Sequence, residues 1–322
     1  MPVGPLHVCV LLLVGTCFCL AACTALAEAT YAERLGWPAG SRVVILHVDD
    51  VGMCHGANVG AIEAIEKGVA TSMSIMFPCP WVPEIARYLR GHPEVDAGVH
   101  LTLNSEWLEY RWGPVAGKQA VPGLVDKEGC LHRGIAQVMF GATPDEVETE
   151  MRAQIDRCLS LGIKPTHLDS HMGTVFATIP FCERYLKIGA ELGIPVMLPG
   201  GHGRHISKQA PIMPSVAKEM GRRAWQSGLP VIDDLYITSA PPEGKTAELI
   251  DFLRTLEPGI TQYIVHSTRP TATYKHISST GPARLGELEV MLDPQVGSVI
   301  EEEGIIRTTW RELKQRRDQL GR

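Results

Sequence analysis

Positive charge is scarce in this chain: 30 Lys and Arg stand against 36 Asp and Glu, for a net charge of -6 and a pI near 6.1. Nucleic-acid binding draws on Lys and Arg that neutralise phosphates, so no polynucleotide partner is expected. CxxC pairs are also missing, which argues against a zinc-cysteine cluster. No internal repeat, low-complexity tract, interior charge run or Ser/Gly-rich linker divides the body, so residues 28–322 read as one domain. With 45% of positions hydrophobic, that body can bury a sizeable core.

One apolar run is present, from Val8 to Ala22, followed by small residues and then Glu28. It falls short of the ~20 apolar residues of a spanning helix and reads as an export signal over residues 1–27. Leu20-Ala21-Ala22-Cys23 resembles a lipobox, which would place a lipid on Cys23 and anchor the mature chain to a membrane. Ala25-Leu26-Ala27 offers ordinary cleavage instead, and the lack of Lys or Arg before the run weakens both readings. A periplasmic or secreted location follows either way. Of nine cysteines, four lie in this leader; Cys54, Cys79, Cys130, Cys158 and Cys182 remain, most simply as small buried residues.

The body alternates short β-branched runs with longer amphipathic ones. Strands are expected at Arg42–Val48, Thr71–Phe77, Ala97–Leu103, Thr166–Asp169, Ile194–Leu198, Val231–Ile232 and Gly259–His266. Helices are expected at Ala57–Lys67, Trp81–Leu89, Pro144–Leu161, Ile179–Leu192, Met213–Gln226, Thr246–Leu256 and the C-terminus. That rhythm predicts an α/β fold, an irregular βα-barrel of about seven parallel strands whose reactive side chains gather at the strands' C-terminal ends. Two long loops, 104–141 and 200–211, break the rhythm.

Reactive side chains do fall at strand ends. The first strand ends His47-Val48-Asp49-Asp50-Val51-Gly52. Adjacent carboxylates raise one another's pKa, and a bound cation relieves the conflict; a helix N-cap would explain one Asp but not both. The third strand ends Gly98-Val99-His100-Leu101-Thr102-Leu103, and taken alone such a His is more often a hydrogen-bonded core residue than a ligand. Then comes Lys164-Pro165-Thr166-His167-Leu168-Asp169-Ser170-His171. Strand alternation puts His167 and Asp169 on one side, while His171 lies where the chain turns. His171 is the better candidate ligand, with His167 or Asp169 orienting it from behind. An Asp pair and two histidines on three strand ends suit a three-ligand metal site with open positions.

These three segments resemble the signature motifs of the YdjC-like carbohydrate deacetylases, the group that includes chitooligosaccharide deacetylase. The resemblance implies an irregular, polysaccharide-deacetylase-like barrel that removes N-acetyl groups from an amino sugar, an oligosaccharide or a polysaccharide. It implies Asp49 as general base and Asp50, His100 and His171 as metal ligands. Ile264-Val265-His266-Ser267 resembles a family His-Pro segment with Ser in place of Pro, making His266 the candidate proton donor. After His171 the family commonly has further histidines, where this chain has Met172-Gly173-Thr174-Val175, which bears on substrate identity. Two imidazoles and one carboxylate suit zinc; magnesium is the alternative the family suggests.

Trp107, Tyr110 and Trp112 follow His100 and either stack on a pyranose or pin their loop. Arg269 either binds a substrate oxygen or pairs with an acid, and His202 and His205 read as surface-loop residues. Two rival functions remain: a metal-dependent hydrolase of another amide or ester, and an envelope glycan-binding protein without turnover.

Overall fold

The structure, a computed structural model, describes residues 28–209 and 214–321. The expected export signal, with Cys23, lies outside the described residues, and no helix among those described is long and apolar enough to cross a membrane. Met213, Pro211 and Ala210, at the edges of an expected helix and loop, lie outside them too.

Seven parallel strands form one curled sheet: β1 (Arg42–Val51), β2 (Ser72–Ile75), β3 (Ala97–Leu101), β4 (Leu168–Ser170), β5 (Asp234–Ile237), β6 (Gly259–Val265) and β7 (Ile306–Arg307). The order is β4-β3-β2-β1-β6-β5, with β7 paired to the start of β1. Every residue of β1 after Arg42 is buried, as a parallel strand covered on both faces requires. Val43–Leu46, Met73, Ile75, Val99, Leu101 and Tyr263 form the middle of the core. Helices connect the strands and pack outside. In the Pro144–Ser160 helix, the Thr143 side chain accepts from the Glu146 backbone N–H while Glu146 reaches back to Thr143. The Ile179–Leu192 helix ends on Gly193 at φ 64°.

Two expected strands differ from what the chain forms. Ile194–Leu198 makes only an isolated bridge, Val196 to Leu168, and Pro199 just beyond it bridges Ile232. Pro195 and Pro199 supply no N–H, so no regular ladder can grow there. Those bridges still carry the sheet from β4 round toward β5, in keeping with an irregular barrel. Val231–Ile232 is likewise a bridge rather than a strand, and the regular strand starts at Asp234. The loop 104–141 contains a helix at Ile135–Gly141, and the C-terminal region adds β7 between its helices. The five body cysteines are all free.

Candidate active site

At the C-terminal end of β1 strict alternation would send Asp49 and Asp50 to opposite faces. The chain avoids this with a register shift against β2 between Val48 and Val51, and by placing Asp50 in the left-handed region at φ 61°. A non-glycine residue held there stores strain of a kind that clusters at functional sites. Both carboxylates then reach one buried cluster.

Asp50 Oδ1 lies 3.1 Å from His171 Nδ1 and 3.3 Å from His100 Nε2. His100 sits at the end of β3 and His171 just past β4, where the chain turns. Each ring places its other nitrogen on a different carboxylate: His100 Nδ1 is 2.7 Å from Asp169 Oδ1, and His171 Nε2 is 3.0 Å from Glu106 Oε2. Asp49 Oδ1 accepts from Ser74 Oγ at 3.1 Å and lies 3.0 Å from His47 Nε2, which also meets Asp169 Oδ2 at 2.9 Å. The structure therefore brings Asp49, Asp50, His100, His171 and Asp169 together, all buried.

The electrostatics match this crowding. Burial alone would raise Asp50, but the Arg284 guanidinium and the two imidazoles hold it well below the usual carboxylate range. Burial works against protonated His47, yet Asp169 and Asp49 outweigh it and raise the ring to about 9. His171 likewise loses by burial and gains more from Asp50 and Glu106, also reaching about 9.

Three buried trios have donor atoms within 4.8 Å of one another: Asp50/His100/His171, Asp49/His100/Asp169 and His47/His167/Asp169. The first suits a divalent ion best. Its imidazoles divide their nitrogens between the shared centre and a carboxylate, the pattern of metal-ligating histidines. In the other two trios the carboxylates Asp49 and Asp169 already share the His47 ring, which lies between them. His167 is further from the cluster: its Nε2 is 3.7 Å from Asp169, Nδ1 is 3.0 Å from Thr166 Oγ1, and the ring stacks on Trp310. The ring also lies flat against Gly98, where a Cβ would come within 2.5 Å of it.

His266 follows β6, next to β1, and turns Nδ1 toward Glu287 at 3.3 Å. Glu287 also accepts from the His266 backbone N–H and, at 3.0 Å, from buried Lys245. Burial pushes Glu287 up, but His266 and Lys245 pull it down to about 2.

For Trp112 and Arg269 the structure favours one of the two roles weighed, and the reading of His202 and His205 needs correcting. Trp112 is only 4% exposed, its N–H donates to Asn104 O at 3.1 Å, and Trp107 and His171 cover its ring. It pins the loop and has no face free for a sugar; half-buried Trp107 and Tyr110 keep that option. Arg269 points outward and pairs with Glu63 at 2.9 Å, away from the cluster. His202 and His205 are not free surface residues: both face buried Asp234, at 3.5 and 2.8 Å. Five residues at the site carried no motif: Ser74, Glu106, Lys245, Arg284 and Glu287. Arg284 Nη2 donates to Asp50 Oδ2 at 2.6 Å from 234 positions away, a pairing no local pattern signals.

A cavity of about 680 Å³ lies at the other end of the strands, lined by residues such as Val95, Lys164, Ile194 and Arg311. None of the clustered carboxylates or imidazoles lines it.

Known proteins share this arrangement of chain. A carbohydrate deacetylase of Thermus thermophilus is 31% identical over 283 residues, covering 88% of this chain and 97% of its own. A chitooligosaccharide deacetylase of Klebsiella pneumoniae is 28% identical over 277 residues, covering 84% and 99%. The crystal structure of a candidate cellobiose-phosphate cleavage protein from Enterococcus faecalis superposes with a TM-score of 0.73 at 22% identity, covering 85% of this chain and 99% of the other, and so supports the fold. The family model described as YdjC-like protein matches residues 43–302, a span holding every clustered residue above, and the chain belongs to that family.

Proposed function

We propose that this protein is a metal-dependent carbohydrate deacetylase that hydrolyses the N-acetyl group of an amino sugar or a short oligosaccharide. The observation that carries it is the buried Asp50/His100/His171 trio with Asp49 directly alongside. The names of its relatives support the substrate class.

Asp50, His100 and His171 would hold one divalent ion, zinc by its ligand set or magnesium, which when bound polarises the amide carbonyl and acidifies water. Asp49, fixed by the Ser74 hydroxyl and the His47 ring, accepts the proton of the attacking water. His266, with Glu287 beside Nδ1, is the group assigned to protonate the departing amine. Arg284 neutralises the second oxygen of Asp50, so Asp50 does not compete with Asp49 for that proton. Half-buried Trp107, with half-buried Tyr110 beside it, is the aromatic surface left for a pyranose.

Export across a membrane, with either plain cleavage after Ala27 or lipidation of Cys23, belongs to this proposal, because a glycan of the envelope would then be within reach. The test is acetate release from N-acetylglucosamine, chitobiose and longer chitooligosaccharides, by protein loaded with zinc or magnesium and by chelated protein. Loss of release on chelation and its return with the ion are expected. Equal release by rigorously metal-free protein overturns the mechanism, and glycan binding without any release would make the protein a binder.

A further inference from the structure

Glu106 belongs to none of the three signature segments. It stands in the loop after β3, directly before Trp107, and its side chain remains partly exposed. The limb of loop that carries it is well tied: Ser105 N–H donates to His132 O at 2.8 Å, Thr174 Oγ1 to Asn104 Oδ1 at 2.8 Å, and Arg133 to Glu106 O at 3.1 Å. Its carboxylate is thereby held 3.0 Å from His171 Nε2.

The two candidate ligand histidines face their common centre through different nitrogens. His100 turns Nε2 inward and rests Nδ1 on Asp169, a residue of a signature segment that belongs to the sheet. His171 turns Nδ1 inward and rests Nε2 on Glu106, a residue of the loop. An imidazole can ligate through either nitrogen, and the hydrogen bond on the other nitrogen decides which one carries the lone pair. His100 is fixed by the sheet itself; His171 is fixed only if the loop is in place.

We propose that Glu106 is the positioning residue that fixes His171 for metal binding, and that through it the loop bearing Trp107 and the metal site stabilise one another. This rests on the reading of Asp50, His100 and His171 as the ligand set. Carboxylates behind metal-bound histidines contribute about 10–100-fold in affinity. Linkage is reciprocal, so an ion that favours the Glu106–His171 contact also favours the ordered loop.

The test is zinc titration of chelator-stripped protein by calorimetry, with amide hydrogen exchange of residues 104–112 as second readout. Glu106→Ala should raise the zinc Kd by about 10–100-fold. Glu106→Gln should fall between the two, since its amide oxygen still accepts from Nε2. Zinc should slow exchange across 104–112 in the native protein and do so less in Glu106→Ala. A zinc Kd unchanged in both variants overturns the proposal, as does a lowered melting temperature of the metal-free variants with affinity intact, which would mark Glu106 as structural only. Failure of the ligand set looks different: His100→Ala would then bind zinc as the native protein does, and both readings fall.

Discussion

Two aspartates stand side by side twice in this chain, and the two pairs meet opposite fates. Asp49–Asp50 ends β1, at the C-terminal edge of the sheet; Asp233–Asp234 opens β5, at the N-terminal edge. Both pairs are buried. The second is satisfied almost wholly by backbone: Asp233 accepts from Tyr31, Ala32 and Ile260 N–H, at 2.9, 3.3 and 2.9 Å. Asp234 accepts from His205, Ile206 and Leu235 N–H at 2.8, 3.2 and 2.8 Å, and from the His205 ring at 2.8 Å. The first pair meets only side chains: imidazoles, a hydroxyl and a guanidinium. Backbone donors fasten one segment to another and leave little capacity for anything new. Side-chain partners that titrate or ligate leave a place where an ion and a substrate can enter. The same dipeptide is thus a clamp at one edge and, on the function proposed above, a reaction centre at the other.

The comparison can be broken most sharply at the ligand trio. His100→Ala or Asp50→Asn should reduce acetate release to the uncatalysed background while circular dichroism keeps its native form; retained turnover in either variant would dissolve the distinction. Next, Asp49→Asn should lower kcat by about 10²–10⁴-fold, the range for loss of a general base, with metal affinity held within about threefold. A parallel loss of metal binding would make Asp49 a ligand instead.

At the other edge the effect should move from rate to stability. Asp233→Ala strands three backbone N–H groups and should cost about 2–4 kcal/mol in urea unfolding, with kcat per folded molecule unchanged. A selective loss of kcat would show that this pair, too, serves the chemistry.

The smallest effect concerns acid titration. Burial raises Asp233, so its contribution to stability is complete below the ordinary carboxylate range and is lost as pH rises through its own higher pKa. Burial would raise Asp234 as well, but His205 and the backbone donors leave it lowered, so its contribution is present above that range and fades as pH falls. Asp233→Asn should therefore steepen the rise of stability with pH through the carboxylate range, and Asp234→Asn should flatten it, in unfolding curves at successive pH values. Slopes of the same sign in both variants would refute the assignment.

Why the sequence reveals one pair and hides the other follows from what surrounds each. Around Asp49–Asp50 the partners His100, Asp169 and His171 lie on strand ends with recognisable patterns, and the parallel sheet brings strand ends together. The alternation of β1 to β4 was readable for the same reason. Asp233 finds its donors on Tyr31, Ala32 and Ile260, whose side chains say nothing about their N–H groups. Arg284, Glu106 and Glu287 escape notice because each reaches the site from a helix or a loop with no periodic signal of its own. Ile194–Leu198 reads as a strand because an apolar run records burial and not the missing N–H of Pro195.

Gly98 and His167 sit in different signature segments, yet the ring of one fills the space where the other would have a side chain. Neither segment can be exchanged alone. A chimaera that takes the β3 segment from a relative with any bulkier residue at that position would displace the imidazole and, through Trp310 stacked on it, the C-terminal helix. At this contact the two segments act as one part, and a side chain added at position 98 calls for a smaller residue at position 167.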